Sequence, residues 1–182
     1  MLTIGHSTLA LTDFLGALRQ CGCVRLVDVR RYPGSRRNPQ FGQDVLFREL
    51  EAAGIEAIWR EGLGGRRTPR ENSMNRGWRN ESFRGYADYM QTAEFEAEMD
   101  WLMVLPELER TVVMCAEAVP WRCHRSLIGD AVLARGGEVS DIFVNTHGLA
   151  TRKVHAMTSF ARVDGARVWY PAEEAQVDLF EQ

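Results

Sequence analysis

Residues 111–137 read TVVMCAEAVPWRCHRSLIGDAVLARGG, and this stretch decides the fold. It begins with the apolar run Thr111–Cys115, which predicts a buried strand, and passes through a polar segment into a helical pattern over about 120–134. Gly136 and Gly137 follow that pattern, as expected at the C-terminal end of a helix. Glu138–Phe143 predicts the next strand. A strand, a helix and a further strand in this order are typical of a parallel sheet covered by helices.

The same alternation of strands and helices runs through the rest of the chain. Thr12 is expected to cap the first helix, because a hydroxyl side chain can accept a hydrogen bond from a free backbone N–H of the first turn. The remaining predicted elements are strands over Met1–Ile4, Val24–Val29 and Ile55–Trp59, and helices over about 44–53, 82–90 and 94–104.

The predicted fold class is therefore α/β, with a mostly parallel, Rossmann-like sheet flanked by helices. We expect a single domain over residues 1–182, since neither a linker nor a repeat interrupts the pattern. Arg167–Tyr170 is a candidate edge strand from the C-terminal region. The sequence leaves open whether the C-terminal tail, residues 172–182, is free or packed.

Composition narrows the class of protein. With 45% hydrophobic and 26% charged residues, the chain has the ordinary balance of a globular protein. It lacks both an apolar run of roughly 20 residues, as a membrane helix needs, and a signal-peptide pattern, so we expect a cytoplasmic protein with no membrane partner. The net charge of −3 argues against a protein that coats nucleic acid nonspecifically. Four unevenly spaced cysteines do not form a disulfide framework, so reduced thiols are expected.

The uncommon polar residues directly follow the predicted strands. In an open parallel sheet, ligands bind in the crevice beyond the carboxyl ends of the strands, so these residues are expected to converge on one anion-binding site. The candidates are His6 and Ser7 after the first strand, Asp28, Arg30, Ser35, Arg36 and Arg37 after the second, and Cys115, Glu117, Cys123, His124 and Arg125 after the fourth.

Arginines dominate the segment after the second strand. Arg30, Arg31, Arg36 and Arg37 flank a Pro-Gly-Ser turn, and guanidinium groups offer a planar fork of donors suited to phosphate. The alternative is a solvated basic loop paired with surface acids. The residues assigned to substrate binding are Ser7, Arg30, Ser35, Arg36, Arg37, Cys123 and Arg125.

Cys115 is the candidate nucleophile. It leaves a buried strand beside a helix N-terminus, where a thiolate is stabilised, although a small buried cysteine without chemical function is the alternative. Cys123 and His124 are expected in the first turn of the following helix, where His124 could act as acid or base and Glu117 could orient or replace it. Six residues separate Cys115 from Arg122, one more than a cysteine-phosphatase loop requires, so that class is not indicated.

His6 and Asp28 complete the set of catalytic candidates. His6 stands at the tip of the first strand and is either an acid–base group or a hydrogen-bonded loop residue. Asp28 ends an apolar strand and either orients an arginine or serves as a base. Cys115, Cys123 and His124 lack a standard ligand spacing, so no metal site is predicted, and the cofactor is unknown.

Five motifs together resemble the family named domain of unknown function 488. The resemblance spans about residues 4–143, with the motifs in the family's order, and it implies a bacterial or archaeal α/β domain without implying a reaction. The motifs are Ile-Gly-His-Ser, Val-Asp-Val-Arg-x2-Pro-x-Ser-Arg-Arg, Leu-Gly-Gly at 63–65, Tyr-Ala-x-Tyr-Met, and Met-Cys-Ala-Glu-x2-Pro-x2-Cys-His-Arg-x-Leu-Ile.

The C-terminal segment Gln176-Val-Asp-Leu-Phe180 resembles the short peptide that docks on the bacterial DNA sliding clamp. Leu179 and Phe180 would be the apolar anchors in the clamp groove, and Gln176 would supply directional hydrogen bonds. Val177 departs from the leucine of that pattern. The alternative is that Leu179 and Phe180 pack on this protein's own core.

The sequence thus supports three hypotheses of function. The first is an enzyme that binds a phosphate-bearing substrate, a nucleotide or a nucleic acid, and uses Cys115, Glu117 or His124 in nucleophilic or acid–base chemistry. The second is a noncatalytic nucleic-acid-associated module that docks on the sliding clamp through its tail. The third is a metal-sensing or redox protein that uses Cys115 and Cys123. An enzyme needs the Cys-Glu-His cluster, whereas a binding module needs only the arginines.

Overall fold

A six-stranded sheet lies at the centre of the computed structural model, which describes residues 1–172. A separate two-stranded sheet follows it along the chain. The strands are β1 (Leu2–Gly5), β2 (Arg25–Asp28), β3 (Glu56–Trp59), β4 (Thr111–Cys115), β5 (Ser140–Val144), β6 (Ala150–Val154), β7 (Arg162–Asp164) and β8 (Arg167–Trp169), and the helices are α1 (Leu11–Gln20), α2 (Gln43–Ala52), α3 (Glu81–Tyr89), α4 (Ala93–Met103) and α5 (Arg125–Ala134).

The central sheet has the strand order β3-β2-β4-β1-β5-β6. Its first five strands are parallel to their neighbours, and β6 runs antiparallel to β5 at the edge. The α/β fold with a mostly parallel sheet is therefore confirmed. The carboxyl ends of β1, β2 and β4 lie side by side, so the residues that follow these three strands meet at one edge of the sheet.

Both faces of the sheet are covered, because successive residues of each buried strand point to opposite sides. On one face, Val112 and Met114 belong to the apolar cluster formed with α1 and α2. On the other face, Val113 and Cys115 belong to the cluster formed with α3, α4 and α5. The Cys115 side chain is thus directed to the face that α5 covers.

Two predicted helix starts were wrong. Ala10 rather than Thr12 occupies the N-cap of α1, and no side chain caps that helix. The helix predicted from Pro120 is divided into a 3₁₀ turn, Pro120–Arg122, and α5. Between them Cys123 has extended backbone, with φ −138 and ψ 141, and its carbonyl accepts hydrogen bonds from both the N–H and the hydroxyl of Ser126. Cys123 therefore precedes the helix, and His124 is its N-cap.

The C-terminal region supplies an edge strand, but that strand is β6 and not Arg167–Tyr170. β8 pairs with β7 outside the central sheet. It is fixed by Tyr170, whose hydroxyl donates to Asp130 over 2.8 Å and whose backbone N–H donates to Asn75 over 2.9 Å. The side chains of β6 are mostly exposed and polar, so its sequence lacks the apolar signal of a strand.

A buried histidine links the C-terminal region to the sheet and to α5. The His155 ring contacts Asp141 over 2.9 Å and Asp130 over 3.2 Å. Burial lowers the pKa of His155, but the hydrogen bonds and charges of the two carboxylates outweigh burial and raise the pKa to about 9. His155 is therefore a cation at neutral pH and neutralises part of the buried acidic charge.

Within residues 1–172, every helix is too short or too polar to cross a lipid bilayer.

Gly5 marks the closest approach between β1 and the segment after β4. A Cβ atom at this position would lie 1.7 Å from the backbone oxygen of Glu117. Beyond Gly5, the N–H groups of His6 and Ser7 donate to the carbonyls of Cys115 and Ala116 over 3.0 and 2.9 Å. Residue 5 therefore has to be glycine for the two segments to remain in register.

Gly5→Ala is expected to lower the free energy of unfolding by about 1–3 kcal/mol, because the clashing atom is backbone and cannot rotate away. Gly16→Ala in α1 is the matched control. Its Cβ meets only a glutamine side chain at 3.9 Å, and alanine should stabilise the helix by about 0.5–1 kcal/mol. Urea denaturation of the two variants measures both effects. Equal stability of the Gly5→Ala variant and the wild-type protein would contradict the expectation.

Candidate functional site

A cavity of about 300 Å³ opens at the carboxyl edge of the sheet. We call it the cysteine cavity. Its walls are segments 30–32 after β2, 65–66 in the long loop after β3, 82–83 at the start of α3, 115–117 after β4, and 122–124 before α5. Segments from four separate parts of the sequence thus meet where parallel sheets usually bind ligands.

Cys115 lies in the wall of this cavity and is only 8% exposed. The neighbouring Cys123 thiol and the backbone N–H groups of Ala116 and Glu117 favour the charged form of its sulfur, and the nearby charge of Arg125 acts in the same direction. These interactions outweigh burial and lower the pKa of the Cys115 thiol. The sulfur is therefore stabilised as a thiolate.

Cys123 has the opposite role. Because its thiol is the donor to Cys115 and is itself buried, the pKa of Cys123 is raised to about 12. The pKa values of the two thiols thus shift in opposite directions, that of Cys115 down and that of Cys123 up. This division is the pattern expected for one reactive cysteine and one supporting cysteine.

The imidazole of His124 lies beside both sulfurs. Its Nδ1 atom is 3.8 Å from the sulfur of Cys123 and 4.0 Å from that of Cys115. Tyr86 packs against the ring with a centroid distance of 4.9 Å, and a Cβ at Gly65 would lie 2.7 Å from Nδ1. A small residue on one side and an aromatic ring on the other therefore hold the imidazole where it can exchange a proton with the thiols.

Hydrogen bonds hold the backbone of Glu117, whereas its side chain is exposed. The Arg125 guanidinium, which is 1% exposed, donates to the carbonyls of Glu117 and Ala118. The side chain of Glu117 is exposed and lines the cysteine cavity. Arg125 thus shapes the segment after β4, and Glu117 presents a carboxylate to the cavity.

The rim of the cavity carries positive charge. Arg31, Arg66 and Arg122 line it, and within residues 1–172 none of the three forms an ion pair. The guanidinium groups of Arg31 and Arg66 lie 6.0 and 5.6 Å from the ring of Tyr32. Arg66 has a φ of 59°, a left-handed conformation that is uncommon outside glycine and often found at functional sites. A rim of this kind attracts an anionic ligand.

Arg30 also lines the cavity, but its guanidinium is largely occupied by other groups. It donates to both carboxylate oxygens of Asp28 over 2.9 and 2.6 Å and to the carbonyl of Phe41 over 2.7 Å. Asp28 is completely buried in this pair. Of the two roles considered for Asp28, this geometry favours orientation of Arg30.

His6 lies behind the cavity wall. It is 2% exposed, stacks on Phe41 at a centroid distance of 4.2 Å, and contacts the carbonyl of Ser7 through Nδ1 over 2.9 Å. Burial lowers the pKa of His6 to about 4, so the ring is neutral at physiological pH. Ser7 has a φ of 46°, a second left-handed residue at this edge of the sheet. Both residues support the segment after β4.

The remaining candidates are not brought into the cavity. The Ser35 hydroxyl accepts a hydrogen bond from the N–H of Asn38 over 3.1 Å, and Arg36 and Arg37 are exposed outside the wall. Gln176, Leu179 and Phe180 lie outside the described residues. The sequence placed Arg66 at this edge of the sheet, in the long polar loop after the third strand, but assigned neither Arg66 nor Arg122 to ligand binding.

The same cluster has the chemistry of a metal site. The candidate ligand atoms of Cys115, Cys123 and His124 all lie within 4.8 Å of one another. Two sulfurs and one imidazole nitrogen are ligands that zinc accepts, with a fourth position left for water or substrate. Metal binding and nucleophilic use of Cys115 would therefore compete for one sulfur.

Fold and site together define an α/β domain with a stabilised thiolate and an arginine rim at the carboxyl edge of a parallel sheet. The chain belongs to the family described as "Domain of unknown function DUF488", whose model matches residues 10–132. The matched region contains all five segments of the cavity wall. No curated protein and no solved structure matches the chain.

Cys115 is expected to react fastest of the four cysteines with iodoacetamide. Its rate should rise at lower pH than the rates of the other three, because the Cys115 pKa is lowered, the pKa of Cys21 is raised by burial, and the pKa values of Cys23 and Cys123 are raised to about 12. Mass spectrometry of labelled peptides across pH gives each rate. Cys123→Ala should slow Cys115 by removing its donor, whereas Cys21→Ala should not. Equal rates at all four positions would refute the assignment.

Proposed function

We propose that the protein is an enzyme that acts on a phosphate-bearing substrate, a nucleotide or a nucleic acid, with Cys115 as its nucleophile. The observation that carries this proposal is the stabilised thiolate in the wall of a cavity whose rim bears Arg31, Arg66 and Arg122 without ion-pair partners among residues 1–172. A noncatalytic binding module has a use for the arginines but none for the paired thiols and the imidazole beside them.

The chemistry would proceed in two steps. With the phosphate group held by the arginine rim, the Cys115 sulfur attacks an electrophilic atom of the substrate, and a covalent bond to sulfur forms as the bond to the leaving group breaks. The leaving group departs as an anion, which takes the proton that Glu117 removes from water in the second step. Water then attacks the intermediate, Glu117 takes up a proton from that water, and the bond to sulfur breaks to restore the thiolate.

His124 and Cys123 maintain the nucleophile through this cycle. The imidazole Nδ1 lies within 4.0 Å of both sulfurs and can receive the thiol proton of Cys115 before substrate binds. The Cys123 thiol donates to the Cys115 sulfur whenever the sulfur is anionic. Neither group has to enter the covalent step.

The enzyme hypothesis and the binding-module hypothesis predict different results for variants of Cys115 and for variants of the rim arginines. A thermal-shift screen of nucleotides, oligonucleotides and tripolyphosphate would identify the ligand class. Cys115→Ser should then keep ligand affinity within about threefold and lose turnover by at least roughly a thousandfold. Arg66→Gln with Arg122→Gln should weaken ligand binding by about tenfold or more, since charge-assisted hydrogen bonds are lost.

Arg36→Gln with Arg37→Gln is the matched control, because these arginines are exposed outside the cavity. It should leave binding and turnover unchanged. Full turnover in Cys115→Ser would overturn the nucleophile assignment. Stoichiometric zinc in the purified protein, lost in the same variant, would overturn it as well, because the sulfur would then be a metal ligand.

The tail motif adds a partner to this proposal. We propose that residues 176–180 dock on the bacterial DNA sliding clamp, which would place the enzyme in DNA metabolism and favour nucleic acid over a free nucleotide. Purified clamp should bind the full chain, and removal of residues 176–182 or the double change Leu179→Ala, Phe180→Ala should abolish binding. Gln182→Ala, just beyond the motif, is the control. Absence of detectable binding at tens of micromolar clamp, or binding that survives the deletion, would exclude the partner.

A further inference from the structure

A second cavity of about 410 Å³ lies beside the edge of the sheet formed by β5 and β6. We call it the aromatic cavity. Trp121 of the 3₁₀ turn and Trp78 of the long loop form part of its wall, and Phe143 of β5 and Lys153 of β6 form another part. None of the residues considered as catalytic or substrate-binding candidates lines it.

The wall offers an aromatic surface that the fold leaves open. Trp121 is 64% exposed, and its ring lies 6.1 Å from that of Phe143 at an interplanar angle of 33°. Large apolar side chains that remain in solvent contribute little to the core, and exposed aromatic surfaces often mark binding sites. Flat rings stack on such surfaces without regard to their exact substituents.

Lys153, the only lysine of the chain, adds a positive charge to this wall. Its ammonium nitrogen lies 5.3 Å from the centroid of the Phe143 ring, and it forms no ion pair with residues 1–172. Asp141 and His155 also line the cavity but are engaged with each other over 2.9 Å. Lys153 is therefore the charged donor on this wall that a ligand can engage.

Trp78 links the walls of the two cavities. It lines the aromatic cavity and packs on Phe83 at a centroid distance of 4.6 Å, and Phe83 lines the cysteine cavity.

The 3₁₀ turn joins the cavities a second time. Trp121 lines the aromatic cavity, whereas Arg122, the next residue, lines the cysteine cavity. Adjacent residues of one turn therefore line both cavities, and a ligand that occupies both would contact Trp121 and Arg122. The cavity volume is within the range of small-molecule sites.

From these contacts we infer that the aromatic cavity binds the base of a nucleotide, stacked on Trp121 with Lys153 as a donor, while the phosphate of the same nucleotide lies at Arg122. This inference rests on the proposed function and specifies its substrate as a base-bearing phosphate. The base can belong to a free nucleotide or to a nucleic acid strand.

The test compares ligands that contain the base, the phosphate or both. Calorimetry would measure binding of the nucleosides, their 5′-monophosphates, single-stranded homo-oligonucleotides and tripolyphosphate to the full chain. At least one base should bind, and Trp121→Ala should weaken it by roughly tenfold or more, whereas Trp121→Phe should stay within about threefold because it keeps a stacking ring. Tripolyphosphate binding should be unchanged in Trp121→Ala.

Lys153→Gln should weaken the base-bearing ligands, and Arg152→Gln is its control. Arg152 is the neighbouring residue of β6 and points to the opposite side of the strand, outside the cavity wall. Trp121 is exposed, so its variants should fold, and unchanged thermal melting checks this.

The same measurements also distinguish a free nucleotide from a nucleic acid strand as the source of the base. Tighter binding of an oligonucleotide than of its monophosphate, lost in Trp121→Ala, indicates a strand; equal or weaker binding indicates a nucleotide. The inference is overturned if base-bearing ligands bind Trp121→Ala as they bind the wild-type protein, or if no base binds at millimolar concentration. If tripolyphosphate still binds through Arg66 and Arg122 in that case, the proposed function stands without this inference. If neither base-bearing ligands nor tripolyphosphate bind, both the inference and the proposed function are refuted.

Discussion

The Glu117 carbonyl packs against Gly5 so closely that no side chain fits between them. Arg125 donates to the same carbonyl, and the N–H of Ser7 binds the carbonyl of Ala116 over 2.9 Å. These contacts hold the segment immediately after β4, whose N–H groups at Ala116 and Glu117 join the Cys123 thiol in lowering the pKa of Cys115. The lowered pKa of that thiol therefore depends in part on a backbone approach that only glycine permits.

Burial divides the arginines of the site into two functional groups. Arg30 and Arg125 are 5% and 1% exposed, and their guanidinium groups hold backbone carbonyls and one carboxylate. Their charge is used inside the protein, because an unpaired buried cation is costly. Arg66 and Arg122 remain exposed at the rim, where a ligand can reach them. The same residue type therefore builds the site in one place and remains accessible to a ligand in the other.

The sequence predicted which residues lie at the carboxyl edge of the sheet better than it predicted which of them point into the cavity. Strand positions follow from apolar runs, and parallel strands bring their carboxyl ends together, which is why Cys115, Glu117 and His124 were found together. The direction of a loop follows from long-range packing instead, so Arg36 was expected in the cavity although Arg66, from a distant loop, occupies the rim. The strand order β3-β2-β4-β1-β5-β6 likewise depends on packing that no local pattern encodes.

The break before α5 is the difference between prediction and structure that matters most for function. An uninterrupted helix from Pro120 would have carried Cys123 in its first turn, with no extended residue to bring its sulfur beside Cys115. The 3₁₀ turn and the extended Cys123 instead place one thiol against the other and leave His124 as the N-cap beside both. The same turn directs Trp121 to one cavity and Arg122 to the other. One irregular segment thus brings the side chains of Cys115, Cys123 and His124 together and supplies one wall residue to each of the two cavities.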